Sequence, residues 1–320
     1  MMQALRFAQD RLTVADVPLP DAHDEVLVRV TRSGICNTDL EIVRGYAGFQ
    51  GTLGHEFVGV VARAADEKLM GRRVVGEINA GCGRCALCRA GDARHCPQRT
   101  VLGIVGRDGA HAEFLQLPLV NLLPVPDEVP DERAVFTEPL AAACGILERT
   151  QIDEAMRVAV IGDGKLGLLC AQAIKALTRA DVMLVGKHRN KLDIARRRNI
   201  ETVLVAQISD TFARAFNVVV EASGAGDGFA LALKLTRPRG TLVLKSTFHG
   251  ATTLDAARIV VDEISLVGSR CGRFGPALEL LKQNAVDVDS LVSEEFALTD
   301  GVRAMERAGA DGVIKVLLRP

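Results

Sequence analysis

The chain has 320 residues, 39 basic and 40 acidic, so its net charge is −1 and no polyanion partner is indicated. Aromatic residues make up 4% with no Trp, which argues against base-stacking recognition of single-stranded nucleic acid. No apolar run approaches the ~18 residues of a membrane helix, and the opening MMQALRF lacks a basic region followed by a long apolar stretch. A cytoplasmic protein without membrane association is therefore expected. The length suits two domains, and no long repeat or low-complexity tract interrupts it, as in a compact soluble protein that handles a small molecule.

Taken in chain order, the N-terminal part is rich in short β signals. Residues 26–30 alternate apolar and polar side chains, 57–62 form a Val-rich run, and 73–76 follow a turn at Gly71. Glycines and prolines punctuate these runs, as in a small barrel-like β domain. Near Glu138 the texture changes to alternating strand and helix signals. Strands are expected at 157–161, 182–185, 218–221, 241–245 and 264–267, with helices at 166–177 and 191–198. That rhythm means a parallel sheet with crossover helices, a doubly wound α/β domain. After Arg270 come one helix at 276–283 and a mixed tail ending in the apolar strand 312–318, which most simply returns to the first domain.

Within the β-rich part stand Cys82, Cys85, Cys88 and Cys96, with gaps of two, two and seven residues in GCGRCALCRAGDARHC. Four thiolates so closely spaced in a polar, Gly- and Arg-rich loop suit a closed tetrahedral structural zinc site. A disulfide ladder is the alternative, disfavoured because clustered cysteines in a cytosolic enzyme more often bind metal.

The strand at 157–161 runs into Gly162–Asp163–Gly164–Lys165–Leu166–Gly167, and a helix follows. A lone GxGxxG is weak, but strand before and helix after are the context of a dinucleotide site. Gly162 permits the tight turn, Gly164 lets the backbone approach a pyrophosphate, and Gly167 lets helix and strand pack. The helix start at Lys165 and Leu166 offers N–H groups to the phosphates. An NAD-preferring site carries Asp or Glu at the end of the second strand. This chain has Gly186, Lys187, His188 and Arg189, which fits a 2′-phosphate and predicts NADP(H) over NAD(H). A solvated basic turn is the alternative.

Three further segments remain: Gly34–Ile35–Cys36–Asn37–Thr38–Asp39, Gly54–His55–Glu56, and Thr137–Glu138–Pro139–Leu140. Singly they read as a buried Cys, a core His and a helix-start Glu. Together with the four-cysteine lobe and the GxGxxG, from G-x-C-x-T-D to the G-x-x-K-V end, they resemble the zinc-dependent medium-chain alcohol and polyol dehydrogenases. The resemblance implies a GroES-like β-barrel catalytic domain at 1–137 and 272–320, with its zinc lobe at 80–98, and a Rossmann domain at 138–271. It also implies a catalytic zinc between the domains held by Cys36, His55 and Glu138, with the fourth position open. Glu56 would approach that metal transiently, and Asp39 would hold the tautomer of His55. Zinc would lower the pKa of a bound alcohol, Thr38 would take its proton, and hydride would pass to the nicotinamide.

Glu138 as third ligand, in place of a second Cys, points to the sorbitol, glucose and threonine dehydrogenase side of the family. The pattern departs from relatives at Glu41, where many carry a His that ends the proton relay. It departs again at Val101, ahead of Gly103–Ile104, where the glucose branch has an acid for sugar hydroxyls. Cys144, Cys170 and Cys271 read as core fillers, and His23, His95, His111 and His249 as surface or structural. His188 is the exception, beside the 2′-phosphate. Relatives imply a homodimer or homotetramer, with strand 264–267 apolar enough to lie near the seam. The alternatives to a dehydrogenase are a biosynthetic reductase of a larger carbonyl compound and a catalytically silent NADP-binding or redox-sensing protein on the same scaffold.

Overall fold

The structure, a computed structural model, describes residues 1–21, 24–246 and 254–320, so His23 and His249 lie outside the described residues. The chain divides into one unit of Met1–Glu138 with Val288–Pro320 and a second of Pro139–Asp287.

The first unit is mostly β. Its largest sheet runs Leu122–Pro124, Arg73–Gly76, Glu56–Arg63, Val26–Gly34, Lys315–Arg319 and Val292–Ala297, with Phe114–Leu117 also paired to Val26–Gly34. The period-two pattern of Val26, Val28 and Val30 is the reason for this placement. All three bury into one cluster with Phe57, Val61, Val74, Leu115 and Leu117. The C-terminal strand does return here, with Leu317 opposite Gly34 and Leu318 opposite Ser33. A hairpin of Met2–Ala8 and Arg11–Val17, unexpected from the sequence, forms a smaller sheet with Gly51–Thr52.

The cysteine lobe leaves this unit between strands Asn79–Ala80 and Thr100–Leu102. It holds only the four-residue helix Ala86–Arg89 and the 3-10 turn Ala93–His95. Apart from Cys96 no apolar side chain between 81 and 99 is buried, so the lobe has almost no hydrophobic core of its own.

The second unit is a six-stranded parallel sheet in the order Glu201–Leu204, Asp181–Gly186, Arg157–Ile161, Phe216–Glu221, Thr236–Leu244, Ser265–Gly268. The first and fourth strands in chain order lie side by side, which creates the topological switch point where such sheets bind ligands. Strands 158–161 and 182–185 are buried throughout, as expected of a sheet covered on both faces. The family resemblance puts the second domain boundary at 272. In the structure helix Phe274–Lys282 stays with the parallel sheet. The reason is local: Gln172 is hydrogen-bonded to the backbone of Asp287, and Glu148 accepts from the Arg273 N–H at 2.7 Å. Among the described residues no helix is long and apolar enough to cross a membrane.

Candidate metal and nucleotide sites

Cys36 ends the extended backbone after Val26–Gly34 and caps helix Asn37–Val43. Its own N–H donates to Asp39 Oδ2 at 2.8 Å, so the cap and the acid lock each other. Asp39 Oδ1 accepts from the Gly54 N–H at 3.1 Å and lies 3.4 Å from His55 Nδ1. One fully buried carboxylate thus ties the Cys36 turn to the His55 turn and leaves the other His55 nitrogen for a ligand. Cys36, His55 and Glu56 offer donor atoms that all lie within 4.8 Å of one another. Thr38 Oγ1 is 3.8 Å from Cys36 Sγ, and both side chains are half-buried.

Electrostatics favour a cation at this point. Burial opposes charge on Asp39, but His55 and His111 outweigh it and hold the carboxyl well below the usual carboxylate range. Burial likewise opposes protonation of His55, and Asp39 and Cys36 overcome it, holding His55 well above the usual imidazole range. The negative potential that retains that proton would also retain a metal ion.

Glu138 is the second residue of helix Thr137–Cys144, half-buried, and is not in the Cys36–His55–Glu56 group. Glu56 begins strand Glu56–Arg63 and is fully buried. Its Oε2 pairs with Lys315 Nζ, while its Oε1 has no hydrogen-bond partner among the described residues. Lys315 is equally buried, donates to the Ile35 carbonyl at 3.2 Å and lies 5.7 Å from the centre of the Phe136 ring. Burial pushes its ammonium down to about 8, against the pull of Cys36 and Asp39. A Cβ on Gly34 would stand 2.6 Å from Glu56 Oε2 and 2.9 Å from Lys315 Cε, so glycine makes room for the pair.

Sequence reasoning missed two residues here. Lys315 is the lysine of the G-x-x-K-V end, but neither that pattern nor a charge in an otherwise buried terminal strand gives it a partner. His111, read as surface or structural, is fully buried: Nδ1 is hydrogen-bonded to Ser33 Oγ at 2.8 Å and Nε2 lies 3.5 Å from Asp39 Oδ2. Asp39 is therefore shared by two imidazoles. Gly54, at φ +96°, accommodates the second ring, since a Cβ there would lie 2.5 Å from His111 Nδ1. Glu41 pairs with Arg44 at 2.7 Å, and Val101 is a buried member of the β core.

In the lobe, the sulfurs of Cys82, Cys85, Cys88 and Cys96 also lie within 4.8 Å of one another, and none of the eight cysteines is in a disulfide. Backbone N–H groups point at them: Cys82 N–H and Gln98 N–H to Cys96 Sγ at 3.4 and 3.3 Å, and Cys88 N–H to Cys85 Sγ at 3.4 Å. Such donors stabilise thiolates. Hydrogen bonds from Arg84 and Cys85 lower Cys82 to about 6, whereas burial and the Cys85 sulfur raise Cys88 to about 11. A cation among the sulfurs would offset the resistance of Cys88 to ionising. Cys144 and Cys170, pushed up to about 12 and about 11 by burial, are unreactive core groups, and Cys271 is half-buried. His95 is exposed, 2.8 Å from Asp92.

In the second unit Gly162 turns the chain at φ +116°, and a Cβ there would lie 2.5 Å from the Ala222 carbonyl oxygen. Gly167 packs on the Gly162 carbonyl, and helix Lys165–Thr178 starts from Gly164, above which the space is open. Gly186 ends its strand, and Lys187, His188 and Arg189 are exposed at the start of helix Arg189–Arg196. Asp163 is buried against this turn, accepting from the N–H groups of Lys187 and His188 at 2.7 and 2.6 Å.

Residues 22–127 match the alcohol dehydrogenase GroES-like domain, and residues 166–285 match the zinc-binding dehydrogenase family. The sorbitol dehydrogenase of Halalkalibacterium halodurans is 30% identical over 325 residues, covering 95% of this chain and 93% of its own. Among solved structures, a zinc-binding dehydrogenase of Sinorhizobium meliloti 1021 bound to NADP superposes with a TM-score of 0.90 at 28% identity. It covers 100% of this chain and 99% of its own. A short chain alcohol dehydrogenase of E. coli CFT073 complexed with NADH reaches 0.92 at 25% identity, with 100% and 99% covered.

Proposed function

Because the chain belongs to the zinc-dependent medium-chain alcohol and polyol dehydrogenases, we propose that it interconverts an alcohol or polyol and the corresponding aldehyde or ketone, using NADP(H). Each chain would hold one catalytic and one structural zinc, in the cytoplasm. The observation that carries this reading is the Cys36–His55–Glu56 group anchored on Asp39, a sulfur, nitrogen and oxygen donor set that suits an open zinc site, with Glu138, outside that group, taken as the permanent third ligand from the family pattern.

When bound, zinc supplies Lewis-acid polarisation of the substrate oxygen, and the nicotinamide supplies the hydride acceptor. The remaining work falls to the chain's own groups. Cys36, His55 and Glu138 would hold the metal, and Asp39 fixes which nitrogen of His55 is offered to it. Thr38 Oγ1, beside the Cys36 sulfur, would hold the proton released by the substrate hydroxyl. Gly162, Gly164, Lys165, Leu166 and Gly167 would cradle the pyrophosphate, with Lys187, His188 and Arg189 around the 2′-phosphate. The polyol side of the family is favoured by the sorbitol dehydrogenase relative. Edge strand Ser265–Gly268 exposes Leu266, and the nearby Val260 and Val261 are 74% and 79% exposed, which supports a homodimer or homotetramer joined at this edge.

The test is steady-state turnover of the zinc-loaded protein on polyols, aldoses and simple alcohols, with NADP and NAD in parallel. NADP-linked turnover of hydroxylated substrates is expected. Zinc-loaded protein that binds NADPH but turns over nothing would sink the enzyme reading.

Two outcomes follow for the metals. Asp39→Asn keeps the shape but removes the charge shared by His55 and His111, so affinity for the catalytic zinc should fall about 10–100-fold, measured by competition with a chromogenic chelator. For the lobe, with its lack of buried apolar side chains, metal takes the place of a core. Stripping zinc should speed tryptic cleavage at Arg84 and Arg89 by about tenfold or more, because local opening then costs little. Cleavage no faster than in the loaded protein would mean that the lobe holds without metal.

A further inference from the structure

The sequence has no acid at the end of the second strand of the parallel sheet, where Gly186 stands. The structure places one there from another element. Asp163, between Gly162 and Gly164, carries its carboxylate across to the Gly186 turn and is buried against it. A Cβ at Gly186 would lie 2.6 Å from Asp163 Cβ and 2.6 Å from Asp163 Oδ2, so the glycine exists to admit this side chain.

The carboxylate is held in a defined orientation. Oδ2 accepts from the Lys187 N–H at 2.7 Å and the His188 N–H at 2.6 Å, and His188 Nδ1 is 3.1 Å from it. Among the described residues Oδ1 takes only the longer contact to the same ring, 3.3 Å. The two backbone donors just before helix Arg189–Arg196, otherwise positioned to meet an anion, are thereby occupied by an internal one.

We propose that Asp163 is the residue that sets the choice between the two dinucleotides, an acid supplied by the glycine-rich turn in place of one at position 186. The proposal rests on the reading of the second unit as a nicotinamide-dinucleotide site. Oδ1 accepts a hydrogen bond from the adenosine 2′-hydroxyl of NAD(H). The same fixed charge opposes the 2′-phosphate of NADP(H), which Lys187, His188 and Arg189 attract. The cations alone would give a strongly NADP-selective site, and Asp163 narrows that selectivity.

The test is binding of NADPH and NADH to the zinc-loaded protein, followed by nucleotide fluorescence without substrate, in wild type and Asp163→Asn. Asn retains a carbonyl oxygen for the turn N–H groups and removes the charge. The expected result is a rise of about tenfold or more in the ratio of NADPH to NADH affinity. Asp163→Ser, shorter and neutral, should shift it the same way if Asn disturbs the fold. Titration with 2′,5′-ADP and 5′-AMP isolates the phosphate, because these probes differ only there. A ratio within twofold of wild type in both variants, or a shift toward NADH, overturns the proposal. A wild type that prefers NADH overturns the NADP reading but not this one, which is judged by the shift. If neither dinucleotide binds the wild type, both fall.

Discussion

Lys315→Met is expected to lower the free energy of unfolding by about 3–5 kcal/mol, the usual cost of stripping one partner from a buried ion pair. Lys315 and Glu56 are both fully buried, and among the described residues the Nζ has the Glu56 carboxylate and the Ile35 carbonyl as hydrogen-bond partners. Methionine replaces most of the lysine stem, so packing is nearly preserved while the cation disappears. Glu56 is then left as a buried carboxylate whose Oε1 already lacks a partner. Gly34 backs directly onto both side chains, which leaves the carboxylate no room to swing away on that side. The double variant Lys315→Met with Glu56→Gln removes both charges together and should recover most of the loss, a coupling that equilibrium denaturation can read. A loss below about 1 kcal/mol for the single variant would mean that the pair is not ionised in the folded protein.

Residues whose partners are near in sequence, or whose role is set by a repeating pattern, are legible in the sequence itself. The lobe's four cysteines span 15 positions and converge in space. The apolar runs at 157–161 and 182–185 form adjacent parallel strands, because a run buried on both faces has few other places to go. The tie between Lys315 and Glu56 spans 259 positions and that between His111 and Ser33 spans 78, and neither is encoded in local spacing. The G-x-x-K-V end marks Lys315 without naming its partner; a lysine heading the buried run Lys315–Val316–Leu317–Leu318 signals only that a partner exists, since a buried ammonium requires one. Asp163 is hidden differently. The three glycines define the turn's motif, the side chain between two of them is no part of it, and only the folded chain joins that side chain to Gly186.

Glu138→Ala is expected to cost about a thousandfold or more in turnover, to reduce zinc from two to about one per chain, and to leave NADPH affinity unchanged. Cys36 thiolate, neutral His55 and one carboxylate balance a divalent ion and leave one position open. Removing the acid leaves a net positive centre held by two ligands. The alternative carboxylate is Glu56, whose donor atom lies within 4.8 Å of those of Cys36 and His55, whereas Glu138 stands outside that group. Glu56 has another commitment, because its Oε2 is held by Lys315, so that only Oε1 remains to meet a metal. A ligand whose charge is already matched by a buried ammonium binds a cation weakly, which fits transient approach better than permanent coordination. The decisive comparison therefore sets Glu138→Ala beside the charge-free double variant Lys315→Met with Glu56→Gln, with zinc content and turnover measured for both. Retention of zinc by the double variant and its loss from Glu138→Ala identifies Glu138 as the permanent ligand. The reverse pattern identifies Glu56, with the Lys315 pair then acting as a brake on metal binding rather than a relief from it.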